Sequence, residues 1–214
     1  NNIMYIETDK QFLNYKFDGK YYKVPTHGRI YKIIDFGRAI YKFKGKRLCS
    51  DSFHPDGDAA TQYNCLPYLN EKKPVLMPNL SFDLCRLGCS LFDFIVDELE
   101  ENEEIEELKD IDNIKSTIKK IVLDWCKDDK NRNIIYKKNG DERYPEFKLY
   151  KMIARTVHNH TPTKVLENPH FNKYIIPFNK GAKSSFTFLH IHILISVNRS
   201  ISFLFFFNKN LCFI

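Results

Sequence analysis

A chain of 214 residues, 43% of them hydrophobic, can bury a sizeable core, which argues against a disordered protein and points to one domain plus a tail. Its 33 basic residues against 27 acidic ones leave a net charge of only +6, scattered rather than striped along one helix, so nucleic-acid binding is not expected. Cysteines 49, 65, 85, 89, 126 and 212 show no paired C-x-x-C spacing and nothing at the N-terminus reads as a signal peptide, so reduced thiols in an intracellular, cytoplasmic protein are expected.

In chain order, residues 3–8 and 29–34 read as short strands. Between them Tyr15 to Tyr22 reads as a hairpin, because Asp18-Gly19 supplies the positive backbone dihedrals of a two-residue turn. The second strand ends in Ile34-Asp35-Phe36-Gly37. Leu84, Leu87, Leu91 and Ile95 recur at three- and four-residue intervals and predict a buried central helix, in which Cys85 and Cys89 are core residues rather than zinc ligands. The acidic run from Asp97 to Glu107 follows, with like charges at helical spacing, and reads as a solvated connector. Ile114, Ile118, Ile121, Val122 and Trp125 predict a second amphipathic helix, and Phe147, Tyr150, Ile153 and Val157 a third. Asn139-Gly140 between them predicts another hairpin turn, over residues 134–144. Thr161 before Pro162 marks a helix start, and Pro169 its stop.

From Asn179 onward the chain has no acidic residue and is dominated by Phe, Ile and Leu. Residues 186–207 approach the about 20 apolar residues needed to span a bilayer, but Arg199 near the middle opposes insertion by about 2.5 kcal/mol or more. Membrane association through 186–207 is therefore the less favoured reading. A dispensable tail is the other.

Four stretches, in order, resemble the protein-kinase catalytic domain. Asn1-Asn2-Ile3-Met4 is similar to the end of its catalytic loop, and Asp35-Phe36-Gly37 to its metal-binding D-F-G element. Phe82-Asp83-Leu84-Cys85-Arg86-Leu87-Gly88 resembles the D-x-W-S-x-G start of the long helix of the C-lobe, with Cys85 in place of Trp and Arg86 in place of Ser. Thr161 to Phe171 resembles the closing pattern that ends in H-P-F-F. The run Lys32 to Ala39 also looks like that of kinase-like proteins of large DNA viruses.

This resemblance implies an α+β, mainly helical fold: a kinase-like C-lobe without the N-lobe, with inserted β-hairpins, over residues 1–178, and an apolar tail over 179–214. It implies a Ser/Thr kinase parent that transfers the γ-phosphate of ATP to protein hydroxyls, in the cytoplasm of an infected host cell. Magnesium would be held by Asp35 and Asn2, since hard cations prefer anionic and amide oxygens. Phe36 would orient Asp35 and Gly37 would permit the backbone turn. Asp83 would accept hydrogen bonds from the catalytic loop. Glu71 falls where the family's A-P-E glutamate stands, although its neighbours Leu69 and Asn70 depart from that pattern, with Arg155 or Arg143 as its ion-pair candidate. Without the family, Asp35 reads as a strand-end turn, Asn2 as a loop residue and Asp83 as a helix-start acid.

The segment from Asp35 to Glu71 would be the activation segment, where Ser50, Ser52, Thr61 and Tyr63 could be phosphorylated. The catalytic Asp, the phosphate-gripping Lys, its Glu partner and the Gly-rich loop are expected before residue 1, so no catalytic base is assigned here. The chain alone should be inactive. Its partners would be a protein substrate and the missing N-lobe segment. The alternative is a non-catalytic, pseudokinase-like interaction module.

Overall fold

The computed structural model describes residues 3–35, 37–60, 62–100, 109–177, 194–197 and 201–204. The fold is α+β, with small antiparallel sheets and helices in two compact units. Asn1–Asp35 and Pro162–Lys209 form one unit; Phe36–Thr161 and Asn210–Ile214 form the other.

In the first unit β1 (Ile3–Glu7) pairs antiparallel with β4 (Arg29–Ile33), from Ile3↔Ile33 to Glu7↔Arg29. The chain between them folds back as the expected hairpin of β2 (Phe12–Phe17) and β3 (Lys20–Pro25), turning at Asp18 and Gly19, whose φ values of 48° and 77° suit a two-residue turn. Side chains alternate as the pleat requires: Tyr15, Phe17, Tyr22 and Val24 are buried, whereas Lys16 and Lys23 are exposed. Thr26 closes the base of this insertion, because its hydroxyl donates to the Lys10 carbonyl and its N–H to the Gln11 carbonyl at 3.0 Å.

The short α4 (Pro162–Val165) and a 3₁₀ helix over Pro169–Tyr174 lead into β7 (Ile175–Ile176), which adds to β3. Pro169 thus opens a second turn of helix after the first has ended. Asn168 caps it by accepting from the His170 N–H at 2.9 Å, and a proline lacks only an N–H that this position leaves unpaired anyway. Within the tail, β8 (Leu194–Val197) pairs with β9 (Ile201–Leu204). The rest of the tail lies outside the described residues. Among those described, no helix is long and apolar enough to cross a membrane.

The second unit opens with the hairpin of β5 (Ile40–Phe43) and β6 (Lys46–Cys49), turning at Lys44 and Gly45. The three predicted helices are α1 (Phe82–Glu100), α2 (Lys109–Trp125) and α3 (Phe147–Thr156), with α1 packed on both of the others. Leu84, Cys85 and Ile95 are buried on α1, while Leu87 and Leu91 are only half-buried and Phe94 is exposed. The buried face is shifted because Gly88 lets α2 come close: a Cβ there would lie 3.0 Å from the Trp125 Cβ. The acidic run begins inside α1, which extends to Glu100; residues 101–108 lie outside the described residues.

The turn expected at Asn139-Gly140 forms, closed by the Gly140 N–H donating to the Lys137 carbonyl at 3.1 Å, and it is flanked by a single antiparallel bridge between Tyr136 and Glu142 rather than by full strands. Backbone pairing across the turn is short, with the Lys137 N–H donating to the Asp141 carbonyl at 2.7 Å and the Arg143 N–H to the Ile135 carbonyl at 2.6 Å, and side chains brace it from the Asn133 side. Asn133 Oδ1 accepts from the N–H groups of Ile135 and Tyr136, and Arg143 donates to the carbonyls of Asn133 and Tyr136.

Candidate functional site

Because Ile3 pairs with Ile33, the chain enters β1 beside the point where it leaves β4 toward Asp35. Asp35 is exposed and holds φ 59°, in the left-handed region that non-glycine residues visit at a cost and that Asp and Asn tolerate best. Unlike Asp18 or Lys44, it is not followed by a glycine that completes a two-residue turn. Asn2 and Phe36 lie outside the described residues.

Asp35 brings one carboxylate, and among the described residues no three His, Cys, Asp or Glu side chains converge as a protein-only metal site. Magnesium does not need such a cage. It is commonly held by one or two protein oxygens with substrate phosphates and water completing the octahedron, and the Asp35 carboxylate suits that role.

In the second unit Gly37 is exposed, and its carbonyl accepts from two hydroxyls, Ser50 Oγ at 2.6 Å and Ser52 Oγ at 2.8 Å. Ser50 also caps the 3₁₀ turn Asp51–Phe53 by accepting from the Ser52 N–H at 3.1 Å. Of the four hydroxyls considered for phosphorylation, these two are bound to the Gly37 carbonyl and Thr61 lies outside the described residues. Tyr63 is 9% exposed, its ring 5.7 Å from Phe53, and burial pushes its phenol well above the usual range. A kinase would reach Tyr63 only after this segment unpacks.

Asp83 is in the first turn of α1, where its charge complements the helix dipole. The start of that helix is fixed by residues the sequence reading did not single out. Asn79 Oδ1 accepts from the Ser81 N–H at 2.9 Å while Ser81 Oγ accepts from the His160 N–H at 3.0 Å. The Asn79 amide donates to the Val157 carbonyl at 2.7 Å. An Asn two residues before a Ser ahead of an apolar helix is an Asx-turn pattern, and only that local half was readable in advance.

Glu71 is exposed and makes no ion pair with Arg143 or Arg155, Arg143 being committed to backbone carbonyls. The loop around it is held from inside by Asn64, also missed at the level of sequence. Its side chain accepts from the Asn70 N–H at 2.7 Å and donates to the carbonyls of Asn70 at 3.0 Å and Lys73 at 2.7 Å. Arg86, at the position where the family pattern has Ser, lies over the Tyr150 ring at 4.1 Å and donates to its hydroxyl at 3.0 Å.

The cysteines at 49, 65, 85, 89 and 126 are free thiols. Burial pushes Cys65 up to about 12, and a hydrogen bond that the Cys85 thiol donates to Cys89, together with burial, pushes Cys85 far above its usual range. Cys65 and Cys85 are therefore packing groups rather than nucleophiles. Comparison of the chain with protein-family models, curated proteins and solved structures found no match.

Proposed function

We propose that the chain is the C-lobe portion of an ATP-dependent Ser/Thr protein kinase similar to those of large DNA viruses, in which Asp35 and Asn2 hold the magnesium of Mg-ATP. The observation that supports this best is the β1–β4 register. It joins the start of one strand, which Asn2 precedes in sequence, to the end of the other, from which Asp35 leaves in a left-handed conformation. A strained backbone at a carboxylate is where function is first sought. Asp83 at the head of α1 and the Pro162 and Pro169 turns add motifs of the same family in the same order.

The residues of this chain supply metal ligands and charge neutralisation. The base and the phosphate-gripping lysine belong to a preceding segment of the parent enzyme. The chain should therefore bind Mg-ATP weakly and not transfer phosphate. Calorimetric titration with Mg-ATP tests the first point, and Asp35→Asn should abolish the binding while leaving the thermal transition unchanged, since Asn tolerates the same backbone. Equal Mg-ATP binding by the variant, or labelled-phosphate transfer above that of an Asp35→Ala control, would overturn the proposal. Absence of Mg-ATP binding even in the wild-type chain would favour a non-catalytic interaction module.

A further inference from the structure

A groove of about 870 Å³ opens in the second unit between the loop from Phe53 to Leu76 and one face of α3. Its floor is apolar and firm: Phe53, Tyr63 and Leu76 are buried beneath it. The loop wall is pinned by the buried Asn64 amide and by the Leu76 N–H, which donates to the Asn64 carbonyl at 2.6 Å. The wall is thus formed before any ligand arrives, which lowers the ordering cost of binding.

What lines the opening is selective in two respects. Leu69 and Val75 remain 44% and 49% exposed, so the wall offers apolar surface that nothing in this unit covers. Lys73, Lys151, Arg155 and His54 line the same groove, and among the described residues no carboxylate lines it. Lys73 stands on the loop, whereas Lys151 and Arg155 are four apart on α3 and so share one helical face. No ion pair among the described residues engages any of the three cations. An uncompensated cationic groove with apolar walls complements a ligand carrying carboxylates and aliphatic side chains in alternation.

We propose that this groove binds a short acidic-apolar peptide segment of a partner protein, its carboxylates against Lys73, Lys151 and Arg155 and an aliphatic side chain against Leu69 and Val75. Occupancy needs no phosphoryl transfer and holds whether or not the chain belongs to a kinase. Steering by the three cations makes the association salt-dependent, and the pinned loop supplies the shape that a bare charged surface lacks.

Fluorescence anisotropy of the full chain tests this, with a short labelled peptide alternating glutamate and leucine as probe. Saturable binding is expected, and the double variant Lys151→Glu with Arg155→Glu should weaken it about tenfold or more. Lys151→Arg should retain it. Lys73→Glu, on the opposite wall, should weaken it independently and serves if the double variant loses its thermal transition. The proposal is overturned if the wild-type chain does not bind, if both charge reversals bind like the wild type, or if a lysine-leucine peptide binds equally. A single-stranded oligouridylate competing at equal affinity would overturn it in favour of a general polyanion site.

Discussion

The side-chain amide of Asn79 donates to the carbonyl of Val157 at 2.7 Å, joining the turn before α1 to the end of α3 across 78 positions of sequence. Asn79 is 6% exposed and Val157 fully buried, so water cannot take over this bond. Replacing Asn79 by Ala leaves a buried carbonyl unpaired and frees the Ser81 N–H as well. A loss of about 1–3 kcal/mol is expected, seen as a lower urea midpoint at unchanged slope. An unchanged midpoint would show that the turn is held by other contacts.

Gly88 should resist enlargement. An added Cβ would sit 3.0 Å from the Trp125 Cβ and 3.1 Å from Cys126 Sγ, on the buried seam between α1 and α2. Alanine gains about 1 kcal/mol of helix propensity, but crowding a packed core costs about 1–3 kcal/mol. Crowding should win in Gly88→Ala and win by more in Gly88→Val. A higher melting temperature for Gly88→Ala would mean that the two helices can separate freely.

Acid should weaken the second unit through Asp128, whose side chain is 1% exposed and bonded to the Arg132 guanidinium at 2.7 Å. Burial works against its charge, yet hydrogen bonds from the Arg132 side chain and from the N–H groups of Arg132 and Lys130 outweigh it and hold the carboxyl below its usual range. With the folded pKa depressed, the stabilisation is present above the unfolded value of about 3.9 and disappears as pH falls through the folded one. Asp128→Asn should be destabilised near neutral pH, and its deficit relative to wild type should shrink toward pH of about 3. A deficit independent of pH would assign the loss to shape rather than charge.

Gly19 isolates a backbone effect. Its φ is 77° and nothing lies within 4 Å of where a Cβ would stand, so Gly19→Ala meets no clash and should still cost about 1–2 kcal/mol through its left-handed conformation. Gly19→Asn should cost less, since Asn tolerates that region. Equal melting curves for Gly19→Ala and wild type would show that the hairpin rearranges its turn.

Local rules decided much of the fold. Asp18-Gly19 made a turn because both residues accept the positive φ that one of the two favoured two-residue hairpin turns requires. The repeats that end in Trp125 and Val157 made helices because apolar side chains three and four apart share a face. On α1 the same rule held for Leu84 and Ile95 but not for Leu87 and Leu91, which are only half-buried, and it is Gly88 that faces Trp125 of the neighbouring helix. Asn139-Gly140 also made its turn, with only one antiparallel bridge beside it, and the bonds of Asn133 and Arg143 to the nearby backbone brace that short pairing.

The order of motifs around Asp35 and Asp83, and with it the kinase reading, came from the chain of residues by itself, as did the helices and the inserted hairpin. Tertiary structure alone decided that Tyr63 is buried, that Arg143 turns to carbonyls instead of Glu71, and that Asn64 and Asn79 hold their loops from within. It also placed Lys73 on the same groove as Lys151 and Arg155. The reason is physical. Turns and amphipathic faces depend on residues a few positions apart and leave a period in the sequence, whereas a buried amide bonded to a carbonyl 78 residues away leaves none.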